Sequence, residues 1–163
     1  AGRFMAGEEA RFVLSESSLI KLPEAPLSII HGDPKWTNFL FSLSWELFDY
    51  PVIGVSSLID WDTVMKGNPF MDIGDMIRSF CKGEDGAFRH DRFKSIIEGY
   101  GGGSDFKDKA LVAAKVITLE LASRFLIDVV EDSYFDFDRS KFATRRDSNI
   151  ASAKKYIDYF KSM

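Results

Sequence analysis

A single cysteine, Cys81, stands among the 163 residues, so no internal disulfide can form and no thiolate cluster can hold a metal. A chain so built suits a reducing cytoplasm, and its stability has to come from a packed core. No apolar run approaches the roughly 18–20 residues of a membrane-spanning helix, which excludes a membrane span. The stretch from Ala1 to Met5 has no signal-peptide character. A basic excess is missing too: 21 Lys and Arg face 25 Asp and Glu, for a net charge of −4. That balance argues against a nucleic-acid binder and favours a small neutral or cationic partner. Neither G-x-G-x-x-G nor G-x-x-x-x-G-K-[ST] occurs. The run Gly99-Tyr100-Gly101-Gly102-Gly103 falls between predicted helices and reads as a flexible connector.

What is present is ordinary globular material, 45% apolar and 28% charged, enough for one domain with one core. Neither an internal repeat nor a low-complexity tract interrupts it. Residues 3–20 read as a short helix stopped by Pro23. Leu27 to Ile30 reads as a short buried strand ending at His31, and Phe39-Leu40-Phe41 as a second. A connection over 42–51 leads to a third strand through Val52, Ile53, Val55, Leu58 and Ile59, and 63–71 reads as a loop. From Asp72, taken as an N-cap, Ile73, Met76, Ile77 and Phe80 recur at helical spacing. Further helices are predicted over 91–100, from about Phe106 to Val130, and over 140–162. The expected fold is α+β, a small β-platform followed by a helical bundle.

Two segments carry chemistry. His31-Gly32-Asp33-Pro34-Lys35-Trp36-Thr37-Asn38 has an Asp, a Lys two residues on and an Asn five residues on. Ile59-Asp60-Trp61-Asp62 puts a carboxylate directly after a β-rich run. Phosphoryl transfer to an alcohol needs a carboxylate that orients and deprotonates the hydroxyl, oxygen ligands for Mg²⁺, and cations for the phosphates. Asp33 suits the first role, Asn38 and Asp60 the second, since Mg²⁺ takes one or two carboxylates beside phosphate and water. Lys35 could reach the transferred phosphate as a point charge. Either segment alone could merely cap a turn. Their joint order after predicted strands favours the catalytic reading, because independent caps have no reason to reproduce that spacing.

These residues, His31-Gly32-Asp33 through Asn38 with Leu58-Ile59-Asp60, resemble the aminoglycoside phosphotransferase / choline kinase-like superfamily, which has a protein-kinase-like fold. Asp60-Trp61-Asp62-Thr63-Val64-Met65, Gly67 and Asp72-Ile73-Gly74-Asp75-Met76-Ile77-Arg78 look like the branch containing N-acetylhexosamine 1-kinases. Leu119-Glu120-Leu121-Ala122 and Arg124-Phe125 through Tyr134-Phe135 are similar to that branch as well. The resemblance implies an ATP-dependent kinase with Asp33 as catalytic base and Asn38 and Asp60 as Mg²⁺ ligands. Asp72 would be structural, tying the catalytic loop to the following helix, and Asp62 would join the metal shell or bind substrate. It also implies a C-terminal lobe whose nucleotide-covering N-terminal lobe lies elsewhere in the same polypeptide.

His31 is expected to pack beneath the loop through ring-to-backbone bonds. Trp36 and Trp61 would either stack on a substrate ring or shield the loops. Among the acids near the end of the long helix, Asp128, Glu131 and Asp132 are candidates for holding amino groups or hydroxyls of the acceptor. The alternative for them is a solvated helix end. The acceptor expected first is a sugar or amino sugar. An aminoglycoside, choline or homoserine would serve the same chemistry, and a non-catalytic binding domain is the rival from another class.

Overall fold

The computed structural model describes residues 7–44 and 52–163. Helix α1 (Gly7–Leu19) precedes strand β1 (Ser28–Ile30), and a 3-10 turn over Trp36–Asn38 leads into β2 (Phe39–Leu43). Strand β3 (Val52–Leu58), a second 3-10 turn (Trp61–Thr63) and β4 (Met65–Gly67) follow. Four helices complete the chain: α2 (Pro69–Phe80), α3 (His90–Gly99), α4 (Ser104–Glu131) and α5 (Arg145–Lys161). The expected α+β architecture holds. Its strands form two antiparallel pairs, β1 with β4 and β2 with β3, rather than one platform.

Several local expectations change. The 63–71 segment is not all loop, because Ser28 to Ile30 needs a partner and finds Met65 to Gly67. Nor is β1 a fully buried strand. Ile30 is buried, whereas Ile29 points outward and is 74% exposed, the alternation proper to a strand covered on one face. Helix α2 begins at Pro69, with Asn68 as its N-cap accepting from the Phe70 amide at 2.9 Å. Proline at the first helical position forfeits no hydrogen bond. Asp72 therefore lies inside the first turn, free to point elsewhere. Helix α5 starts later than expected because Thr144 caps it, accepting from Asp147 N at 3.1 Å. The Phe4 and Met5 part of the first predicted helix lies outside the described residues.

The core forms where α2, α3, α4 and α5 meet. Phe70, Ile73 and Ile77 of α2 are buried at i, i+3 and i+7 against Ala110, Ala113 and Ala114 of α4. Gly74 makes that approach possible, since a Cβ there would sit 2.7 Å from the Ala113 carbonyl oxygen. Full burial of a side chain such as Ile77 contributes about 2 kcal/mol. A second cluster, with Leu119, Leu126, Ile157 and Phe160, joins α4 to α5 and receives Val13 of α1. Cys81 is fully buried rather than half-buried, and burial pushes its thiol up to about 12. No helix of the described residues is long and apolar enough to cross a membrane.

Candidate active site

The loop between β1 and β2 is held to α2 at two places. The Asp72 carboxylate accepts from His31 N at 2.7 Å and from Gly32 N at 2.9 Å. Two turns further along α2, Ser79 Oγ accepts from Trp36 N at 2.8 Å. Residues 72 and 79 are seven apart, two helical turns, so both anchors share one face. Sequence reasoning missed Ser79, although an i+7 polar partner of Asp72 was a usable signal. It also missed Thr63, whose hydroxyl donates to His31 O at 2.7 Å.

Gly32 is required at its position. Its φ is +89°, and a Cβ would meet the Thr63 carbonyl oxygen at 2.6 Å. Substituting alanine is expected to cost about 2 kcal/mol of stability and to displace the loop from Thr63. Thermal unfolding of Gly32→Ala, with the His31 and Gly32 amide shifts as a local readout, measures both.

His31 is 4% exposed. Its Nε2 lies 3.0 Å from the Ile59 carbonyl and its Nδ1 accepts from Asp33 N at 3.3 Å. Both ring nitrogens therefore brace backbone, one toward each chemistry-bearing segment. Trp61 packs on this imidazole, centroids 4.9 Å apart, and donates to Leu58 O at 2.6 Å. Trp61 thus braces the two segments while 57% exposed, and Trp36, 55% exposed, stacks its ring along Phe41.

The first β2–β3 pair, Phe39 opposite Leu58, together with Ile59 N donating to Asn38 O at 2.9 Å, sets Asn38 beside Asp60. Asn38 is 5% exposed. Its amide nitrogen donates to Asp33 O at 2.8 Å and lies 3.4 Å from Asp33 Oδ2 and 3.3 Å from Asp60 Oδ2. One nitrogen thus gathers both carboxylates. Lys35 Nζ closes on Asp33 Oδ2 as an ion pair, both side chains partly exposed. Asp60 has φ 71° and ψ 57°, a left-handed conformation uncommon outside glycine and concentrated at functional sites. Asp62 stands beside it. Hydrogen bonding and charge from Asp62 push the Asp60 carboxyl up, and the same pairing holds Asp62 down.

The acids at the end of α4 are placed otherwise. Asp128 is 2% exposed and accepts from Ser133 N, Tyr134 N, Phe135 N and Asn149 Nδ2 at 2.8–2.9 Å. Burial by itself pushes its carboxyl up, but these four donors together hold it well below the usual carboxylate range. Asp128 is spent on fastening the chain that leaves α4, a correction to its reading as an acceptor ligand. Asp132 ends that helix at φ 50° and pairs with Arg145. Glu131 lines an apolar groove between α1 and α4 beside Leu14 and Val130. Among the described residues none of these three is hydrogen-bonded or ion-paired to the 31–38 loop.

A family model described as "Phosphotransferase enzyme family" (APH) matches residues 8–106. The chain belongs to that family. Among solved structures it is similar to a choline/ethanolamine kinase family protein from Mesorhizobium loti, at 19% identity and a TM-score of 0.49. That alignment covers 96% of this chain and 47% of the other, so the chain spans about half the length of that relative. Comparison with curated proteins gave no match.

Proposed function

We propose that this chain is the acceptor- and metal-bearing C-terminal lobe, a single domain, of an ATP-dependent kinase that phosphorylates a hydroxyl of a small cytoplasmic metabolite. A sugar or amino sugar is the first choice of acceptor, as in the N-acetylhexosamine 1-kinase branch it resembles. The nucleotide-covering lobe would be supplied by the same polypeptide, and neither nucleic acid nor membrane takes part. The observation that carries this reading is the Asn38 amide lying between the carboxylates of Asp33 and Asp60.

The donor set fits Mg²⁺. Asp60 offers an anionic oxygen, and Asn38, whose amide nitrogen faces that carboxylate, would bring its neutral amide oxygen there by a half-turn of the amide; hard oxygen ligands are what this ion takes. No three His, Cys, Asp or Glu among the described residues come together as a denser metal cluster. The chemistry such an ion supplies is neutralisation of charge on the donor phosphates. Asp33, partly open to solvent, orients the acceptor hydroxyl and accepts its proton as that oxygen bonds to the γ-phosphorus and the bond to the leaving diphosphate breaks. Lys35 steadies the Asp33 carboxylate before substrate enters and would supply a cation for the transferred phosphate. Asn38 and Asp72 keep the loop from shifting, which matters because misplacement by an ångström costs orders of magnitude in rate.

An aminoglycoside acceptor is less well served, since polycations need several free carboxylates and Asp128 and Asp132 are already engaged. Binding of Mn²⁺·ATP to the intact polypeptide, followed by electron paramagnetic resonance, tests the metal site. Asp60→Ala is expected to weaken it by about ten- to a hundredfold. Unchanged affinity with near-normal kcat would refute the assignment of Asp60.

A further inference from the structure

Where α2 ends and α3 begins, a cleft of about 510 Å³ has Trp36, Phe41, Ser79, Lys82, Glu84 and Arg92 in its walls. That volume is ordinary for a small-molecule site. None of Asp33, Lys35, Asn38 and Asp60 lines it, so its contents are a matter apart from the phosphoryl-transfer chemistry.

The walls are rich in hydrogen-bond donors and poor in acceptors. Lys82 is half-buried, and its ammonium lies 4.1 Å from the Tyr156 ring centroid and 5.5 Å from that of Tyr159. Ring faces attract a cation but offer its N–H groups no lone pair. Among the described residues this ammonium meets neither a hydrogen-bond acceptor nor a carboxylate partner. Burial, with Lys155 and Arg78 nearby, lowers it to about 8. Arg92 donates through one terminal nitrogen to Phe80 O at 3.1 Å and Lys82 O at 3.2 Å. Its Nε and second terminal nitrogen have no acceptor among the described residues. Ser79 Oγ accepts from Trp36 N at 2.8 Å, which leaves the hydroxyl proton unused. Glu84 is the one carboxylate in the walls; it is exposed, and among the described residues it pairs with neither Lys82 nor Arg92.

A group that complements such walls carries negative charge, several acceptor oxygens and no hydrogen to give. A phosphoryl group near neutrality meets all three demands, with oxygens that radiate toward donors on different sides. The cavity is larger than that group alone. Trp36, 55% exposed and backed by Phe41 with centroids 5.7 Å apart, supplies an apolar wall for the remainder of a ligand.

We propose that this cleft binds the phosphate monoester of a small organic molecule, its phosphoryl group on Lys82, Arg92 and Ser79 and its organic part against Trp36. The site shares no residue with the proposed metal or general base and stands without the kinase reading. Ser79 also holds the catalytic loop through Trp36 N, so a bound ester touches an anchor of that loop.

Amide-resolved NMR titration of the 163-residue chain tests this, with phenyl phosphate and inorganic phosphate as probes. Phenyl phosphate is expected to shift the amides of residues 79–92 and to bind severalfold more tightly than inorganic phosphate. Lys82→Met, which keeps the stem over Tyr156, is expected to weaken phenyl phosphate at least about tenfold, the worth of one charged hydrogen bond. Arg92→Gln, on the exposed side of α3, is expected to do the same and guards against misfolding of the first variant. Lys35→Met is expected to leave these shifts in place, which separates the cleft from the catalytic loop. Absence of shifts at 79–92, shifts unchanged in both cleft variants, or shifts abolished by Lys35→Met alone overturns the site. Equal affinity for the two probes overturns the monoester, leaving free phosphate as the ligand.

Discussion

Asp33→Asn is expected to lower kcat of the intact phosphotransferase by about a thousandfold with little change in KM for the acceptor. The range for a general base is 10²–10⁴. Asparagine keeps the size and can still accept from Asn38 Nδ2, whose bond to the residue-33 carbonyl is a backbone contact and survives the change. What disappears is the proton acceptor and the partner of Lys35. A loss in kcat alone marks a group acting in the transition state. Steady-state kinetics on the pure variant decide it. A kcat within threefold of wild type would remove Asp33 from the chemistry and with it the mechanism argued above.

Asp128 carries the largest stability effect. Its carboxylate accepts from three successive backbone amides just beyond α4 and from Asn149 of α5, so one side chain fixes a helix end, the chain after it and the next helix. Asp128→Ala strands those buried donors and is expected to cost about 3 kcal/mol. For a chain of this length that is a fall of roughly 10 °C in Tm. The sign with pH follows from the direction of the shift. A carboxyl held below its unfolded value of about 3.9 contributes fully above that pH and loses its contribution as pH falls toward the folded value. The wild type is therefore expected to lose stability below about pH 4, and the Asp128→Ala variant to show a shallower acid limb. Calorimetry across pH measures both. Equal acid limbs would show that Asp128 stays protonated or unengaged in solution.

Much of the fold was legible because it rests on local rules. Helical spacing of Ile73, Ile77 and Phe80, of Phe93 and Ile97, and of the apolar residues along α4 placed three helices within a few residues of where they lie. Boundaries failed where a cap competed with the pattern. Asn68 and Pro69 start α2 ahead of Asp72, and Thr144 starts α5 past the turn at Asp138. Strand β4 was illegible because three residues carry no period of their own; only the unpaired edge of β1 called for it.

The same division runs through the site. By itself the sequence determined the order and spacing of Asp33, Lys35, Asn38 and Asp60, and so the chemistry open to them, because a short loop between strands limits where such side chains can reach. Tertiary structure alone decided which acids were available. Asp128 looked as free as Asp60 in the sequence, yet the chain folds back over it and four donors consume its oxygens, while Asp60, in a left-handed turn beside Asn38, stays open to solvent. Long-range packing also set Trp61 against His31 and Trp36 along Phe41, both indoles staying more than half exposed. Spacing along a chain sets which groups can meet, but only the fold fixes which of them keep unspent lone pairs.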